Sequence, residues 1–235
     1  VRRLLAPFVL CIALLFSEAQ AFTIAWLSDT QNYHNAYKPI FDGMTQWIAD
    51  NRAALDIRFV FHTGDVVGSW SSEDQWRQAR ESMDDIGYRM NYANFLKYVL
   101  SLRPASMSQE YGDTGSRYEL FSANGRDYIF MGIAFSNKGP SEDEVNWING
   151  VLRQYSSRDA IIITHSYLKK SASYTTQGKA IFEKIVKANP NVFLVLCGHC
   201  RDISYKNVQL DDDGDGDPDR TVYAILSNFQ GGKAG

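Results

Sequence analysis

The sequence predicts a single α/β domain, and three observations carry that reading. Short apolar runs alternate with amphipathic helical segments along most of the chain, and strand, helix, strand is the order that joins parallel neighbours by a crossover. Asp29, Asp65, His165 and His199 each stand just past the end of an apolar run. In an open α/β sheet the carboxyl ends of the strands gather into one crevice, where ligands bind. No internal repeat, linker or low-complexity tract interrupts the 235 residues, apart from one Asp-rich turn.

The first residues read as a targeting segment rather than as part of the fold. Arg2 and Arg3 precede the apolar run Leu4 to Phe16, and Ser17, Glu18 and Ala19-Gln20-Ala21 follow it. Those are the three regions of a secretory signal peptide. Thirteen apolar residues interrupted by Pro7 fall short of the roughly 20 that span a bilayer, so an uncleaved anchor is the lesser alternative. Residues 1–21 are thus expected to be removed, leaving 22–235 as the domain, secreted or periplasmic, with no membrane segment. Val1 in place of Met, and the ending Gly231-Gly232-Lys233-Ala234-Gly235, suggest a chain truncated from a longer one.

Phe22 to Leu27 reads as a buried strand. Pro39 opens a helix with Ile40, Phe41, Met44, Trp47 and Ile48 at helical spacing. Ile57 to Phe61 is the next strand. Glu73 to Ile86 and Tyr92 to Leu102 read as helices. Tyr118 to Phe121 and Tyr128 to Phe135 form a strand pair turned by Asn124-Gly125. Ser141 with Glu144 is a capping box that opens a helix reaching about Tyr155. Ala160 to Thr164 is a strand; a helix with Ile181, Phe182, Ile185 and Val186 on one face stops before Pro190; Val192 to Leu196 is a further strand. Ile203 to Leu210 and Thr221 to Leu226 flank the Asp-rich turn.

Composition excludes some classes. Charged residues are 22%, hydrophobic ones 45%, and 27 acids face 24 bases. That is neither a disordered chain nor a polybasic nucleic-acid binder, so no specific nucleic-acid partner is indicated. Cys197 and Cys200, spaced Cys-Gly-His-Cys, read as a disulfide or redox pair in an exported protein. In thiol-disulfide oxidoreductases these letters open a helix early in the fold, yet here only 35 residues follow Cys200.

Two acids and two histidines at equivalent strand ends supply carboxylate oxygen and neutral imidazole, the donors a divalent metal needs. With their surroundings, Ser28-Asp29-Thr30-Gln31, Gly64-Asp65, Thr164-His165 and Gly198-His199, the chain resembles the calcineurin-like metallophosphoesterases over essentially all of 22–235. The resemblance implies a four-layer sandwich of two mixed sheets flanked by helices. It also implies hydrolysis of phosphate mono- or diesters, small molecules, by a metal-activated hydroxide at a site holding one or two divalent cations drawn from iron, manganese and zinc. By position, Asp29, Asp65, His165 and His199 are catalytic; Asp29 and Gln31 hold the first metal, Asp65 bridges, and His165 and His199 hold the second. Gln31 stands where His is usual, a variant that secreted bacterial-type members carry.

The chain also departs from the family pattern. The Gly-Asn-His-Asp or Gly-Asn-His-Glu motif, source of a ligand and a catalytic histidine, is absent, and no spacing supports Asn91 or Asn94 in its place. Arg201 stands where the last metal-binding histidine belongs, and guanidinium repels a cation. Gly68 replaces a frequent Asp. His62 reads as a buried strand histidine and His34 as an exposed loop residue. These departures give the alternative reading, a catalytically impaired or inactive relative that serves as a secreted binding module.

Asp211, Asp213 and Asp215 followed by Gly216 match the opening of a calcium loop, with Asp217 and Asp219 further ligand candidates. The closing acidic position of an EF-hand falls on Val222. A solvated hairpin tip is the alternative, but six carboxylates in nine residues repel one another without a cation.

Overall fold

The computed structural model describes residues 22–84, 109–111 and 115–230. The expected signal peptide, the helix over Tyr92 to Leu102, and Asn91 and Asn94 lie outside these residues.

Two sheets face each other. β1 (Thr23–Leu27) and β2 (Ile57–His62) pair in parallel as the smaller one. The larger sheet has seven strands in the order β3-β4-β5-β6-β7-β9-β8. They are β3 (Gln109–Glu110), β4 (Arg117–Ala123), β5 (Arg126–Ile133), β6 (Asp159–Thr164), β7 (Val192–Cys197), β8 (Asp202–Leu210) and β9 (Arg220–Asn228). The central strands β5, β6, β7 and β9 run parallel and the flanking pairs antiparallel. Helices α1 (Lys38–Asn51) and α2 (Glu73–Asp84) belong to the smaller sheet, α3 (Glu142–Gln154) and α4 (Thr176–Ile181) to the larger.

Three apolar layers hold this α/β sandwich together, and strand alternation assigns them. Ala25 and Leu27 of β1 face α1 and α2 with Phe41, Ile48, Trp76 and Met83. Ile24 and Trp26 point the other way, joining Phe59, Phe61, Phe130, Ile161 and Leu196 between the sheets. The rings of Phe59 and Phe130 stack there at 4.2 Å between centroids. Ile129, Met131, Ile162 and Val195 face the opposite side of the large sheet, against Ile148, Leu152, Ile181 and Ile185. Burying a side chain of this size is worth about 1.5–3 kcal/mol, so the layering is fixed by which face of each strand is apolar.

Local signals act mostly as expected. Asn124 and Gly125 sit at φ 52° and 75°, the left-handed pair of a type I′ hairpin turn. The Ser141 hydroxyl accepts the Glu144 N–H at 3.2 Å, but the Glu144 carboxylate takes the Ser116 hydroxyl instead of closing the capping box. In α1 the buried stripe is Phe41, Thr45 and Ile48, while Ile40 and Trp47 are exposed. Thr45 tolerates burial because its hydroxyl donates to the Phe41 and Asp42 carbonyls at 3.2 and 3.0 Å. The helix of Ile181 to Val186 changes pitch, α-helical to Ile181 and then a π-turn over Phe182–Val186. The strand expected to reach Phe135 stops at Ile133, where its partner β6 ends at Thr164, and Phe135 is released toward the centre described next.

Candidate metal centre

The C-terminal ends of β1, β2, β6 and β7 deliver Asp29, Asp65, His165 and His199 to one place. Asp29 and Asp65 both have φ 52° and His199 has φ 69°; aspartate tolerates this left-handed region better than most residues, and histidine is also enriched there. Backbone bonds lock the turns together: Asp29 N–H to the Gly64 carbonyl at 3.1 Å, Thr63 N–H to Leu27 at 3.0 Å, and Gly198 N–H to His165 at 3.0 Å.

Asp65, His165 and His199 each offer a ligand atom, all within 4.8 Å of one another. The tautomer of His165 follows from its neighbours. Its Nδ1 lies 3.2 Å from the Thr63 carbonyl, an acceptor only, so Nδ1 carries the proton and Nε2 a lone pair. That lone pair faces His199 Nδ1 at 3.0 Å and Asp65 Oδ2 at 3.4 Å. Fixing a ligand imidazole by a backbone carbonyl behind it is the usual support of a metal-binding histidine.

Protonation is arranged in the same sense. Burial, with the charge of His165 second, keeps His199 below the ordinary histidine range, hence neutral at pH 7. Burial alone would raise the Asp65 carboxyl, but the neighbouring imidazoles, His165 first and then His199 and His62, outweigh it and hold Asp65 below the usual carboxylate range. Gln31 donates through Nε2 to Asp65 Oδ2 at 2.9 Å, and its Oε1 is buried with no donor among the described residues. A buried acceptor without a donor is costly, and a cation would satisfy it. The donor set therefore fits a divalent cation.

The expected ligands are not all gathered into this cluster. Asp29 is fully buried and its carboxylate accepts the His199 N–H, at 3.0 and 3.2 Å to its two oxygens, and the Ser28 hydroxyl. Burial raises its carboxyl above the usual range, against the Ser28 bond, the His165 charge and the His199 bond. It stands behind His199 as a support and lies outside the three-residue cluster. Gly198 makes this possible, since a Cβ there would lie 2.2 Å from Asp29 Oδ2. Arg201 is exposed at the start of the β8 approach.

His62 carries a structural role that sequence reasoning reduced to burial. Gly64 N–H donates to its Nδ1 at 3.0 Å, so Nε2 bears the proton and donates to Thr30 Oγ1 at 3.0 Å, whose hydroxyl donates to the Val66 carbonyl at 3.1 Å. This chain fixes the turn that presents Asp65. Burial, with the charge of His165, pushes His62 down to about 3, with Asp65 opposing. His34, expected to be an exposed loop residue, is half-buried, because Asn35 and Gln78 exchange bonds at 2.6 and 2.9 Å and pin the segment onto α2.

Cys197 and Cys200 are both free thiols. Cys197 is buried and burial pushes its thiol up to about 12, which makes it inert rather than redox-active. In the Asp-rich turn, Asp211, Asp213 and Asp215 come within 4.8 Å of one another, and Asp217 and Asp219 stay outside that group. The turn relieves its own charge: Asp211 accepts the N–H groups of Gly214 and Gly216 at 2.6 and 2.9 Å, and Asp213 and Asp215 each accept one more. Those backbone bonds hold the Asp211 carboxyl below its usual range.

No family model matches the chain. It is 38% identical over 234 residues to YvnB of Bacillus subtilis (strain 168), an uncharacterized protein, covering 91% of this chain and 18% of that one. The chain thus spans under a fifth of that relative's length. A dimetal phosphatase from Danio rerio superposes with a TM-score of 0.58 at 11% identity, over 87% of this chain and 86% of that one. TT1561 of Thermus thermophilus superposes with a TM-score of 0.51 at 9% identity, over 86% and 87%. Two sheets flanked by helices are the architecture that this chain shares with the dimetal phosphatase.

Proposed function

We propose that the chain is a metal-dependent hydrolase of phosphate mono- or diesters, exported by its N-terminal segment. The observation that carries the reading is the His165 lone pair, fixed by the Thr63 carbonyl and aimed at His199 Nδ1 and Asp65 Oδ2. Asp65, His165 and His199 would hold the cation, with Gln31 Oε1 beside them. A divalent cation in such a set acts as a Lewis acid on a phosphoryl oxygen and lowers the pKa of water. The likeness to a dimetal phosphatase supports this chemistry at the level of fold. Iron, manganese and zinc all suit the N and O donors.

Each side chain has a task in this reading. His199 and His165 would bind the cation through lone pairs, and the Asp65 carboxylate would offset its charge. Asp29 aims the His199 backbone, and His62 aims the Asp65 turn. Phe135, edge-on to His165 with ring centres at 5.3 Å, excludes water from one side.

Asp29's commitment to Ser28 and His199 favours one tightly held cation over two, and this supports the rival reading of an impaired binding module. Metal content measured together with turnover of bis-p-nitrophenyl phosphate separates the two. Bound metal with chelator-sensitive turnover is expected; an inactive protein, with or without bound metal, would defeat the hydrolase reading and favour the binding module. The Asp211, Asp213, Asp215 group is proposed as a separate calcium loop, supported by its three converging carboxylates.

A further inference from the structure

A pocket of about 200 Å³ adjoins the metal centre, and its walls are of two chemistries. Asp65 and His165 form one end. Val66, Val67, Trp70, Trp76 and Phe135 form the rest. Among the described residues, Asp65 brings the one carboxylate to its lining and no Lys, Arg or Glu lines it.

The aromatic walls are presented to it by the backbone. Trp76 is 5% exposed, and its indole N–H donates to the Trp70 carbonyl at 2.9 Å. Ser69 N–H donates to Gln75 Oε1 at 2.8 Å, and Ser72 N–H to the Ser69 carbonyl at 3.0 Å. The loop between β2 and α2 is thereby pinned to the start of α2, while the Trp70 side chain itself is left 74% exposed. Phe135, 38% exposed, lines the same pocket and is held by ring contacts to His165 and His199 at 5.3 and 5.5 Å.

A lone exposed aromatic needs no explanation. Here two of them line one pocket whose end wall is the metal-ligand pair, so a group seated between them is covalently within reach of whatever the ligands hold. We propose that this pocket receives a flat, uncharged aromatic group of the ester, making the substrates aryl or arylalkyl phosphates, with Trp70 and Phe135 as specificity-determining residues. This rests on the phosphoesterase reading above. An apolar cavity of about 150 Å³ is enough for a benzene ring, so one ring fits. Stacking on an aromatic face adds to the gain from area burial.

Binding of two non-hydrolysable probes tests the proposal apart from catalysis. Phenylphosphonate and methylphosphonate are titrated calorimetrically into the manganese-loaded protein and into Trp70→Ala and Trp70→Phe, with thermal unfolding as the check on folding. Phenylphosphonate is expected to bind at least about tenfold tighter. That preference should fall about tenfold in Trp70→Ala and persist in Trp70→Phe. Equal affinity for the two probes, or a preference unchanged in Trp70→Ala, would overturn the aromatic pocket while leaving the phosphoesterase reading intact. Failure of both probes to bind, with no turnover of bis-p-nitrophenyl phosphate, would overturn that reading and the pocket with it.

Discussion

Replacing Gly198 by alanine puts one methyl group into the tightest point of the centre. The new Cβ would lie 2.2 Å from Asp29 Oδ2, 2.4 Å from Ser28 Oγ and 3.0 Å from Thr63 Oγ1. None of these atoms is the loose end of a long side chain. Asp29 is fully buried and short, and Thr63 Oγ1 donates to Ser28 Oγ at 2.9 Å. To reach ordinary contact the carboxylate must retreat by about 1 Å, which breaks its bonds from His199 N–H. Overpacking costs about 1–3 kcal/mol, and losing a hydrogen bond to a buried charged group about 1.5–3 kcal/mol. The sum is about 2.5–6 kcal/mol, roughly 5–20 °C in Tm for a domain of this size. Thermal unfolding in chelator, followed by circular dichroism, reads it directly. Gly150→Ala is the control: nothing lies within 4 Å of its Cβ, and in the exposed middle of α3 it should be neutral or stabilise by up to about 1 kcal/mol. A Gly198→Ala protein that melts within about 2 °C of the parent would refute the argument that Asp29 is clamped against His199.

Two further outcomes follow from the same geometry. Folded His62 is held near 3, below the usual unfolded value of about 6.5. The unfolded chain therefore takes up a proton that the folded chain refuses, and stability is full above about pH 6.5 and declines toward pH 3, by up to about 1.4 kcal/mol per pH unit. Urea unfolding between pH 7 and pH 5 should show this slope, reduced in His62→Gln; an equal slope in both would assign it elsewhere. Calcium should slow proteolysis at the Asp-rich turn by neutralising Asp211, Asp213 and Asp215, and identical cleavage in calcium and in chelator would leave the turn a solvated tip.

Much of the fold and part of the site were legible in the chain. Every strand expected among the described residues forms, because an apolar run bounded by turn residues reports a buried strand whatever its partner. Ser-Asp, Gly-Asp, Thr-His and Gly-His at strand ends marked the residues that meet, since parallel strands place their carboxyl ends together. Which of them converge was not legible. Asp29 and Asp65 share the same strand-end position and the same left-handed φ, and only the close packing of Gly198 turns the first toward a backbone N–H. The work of His62 was hidden for a similar reason, because its partners are a backbone N–H and a threonine hydroxyl with no sequence signature. In α1, periodicity chose Trp47 where the packing chose Thr45, because a threonine that satisfies its own hydroxyl within the helix can be buried.

Metal content of the purified protein and of His199→Ala, measured by plasma mass spectrometry after dialysis, decides whether Asp65, His165 and His199 form a metal site. Asp65, His165 and His199 are the three gathered candidate ligands, and two remaining ligands would hold a divalent cation poorly against water. A divalent metal is expected in the parent protein and is expected to be lost from His199→Ala, with both proteins folded. Full metal content in folded His199→Ala would contradict it.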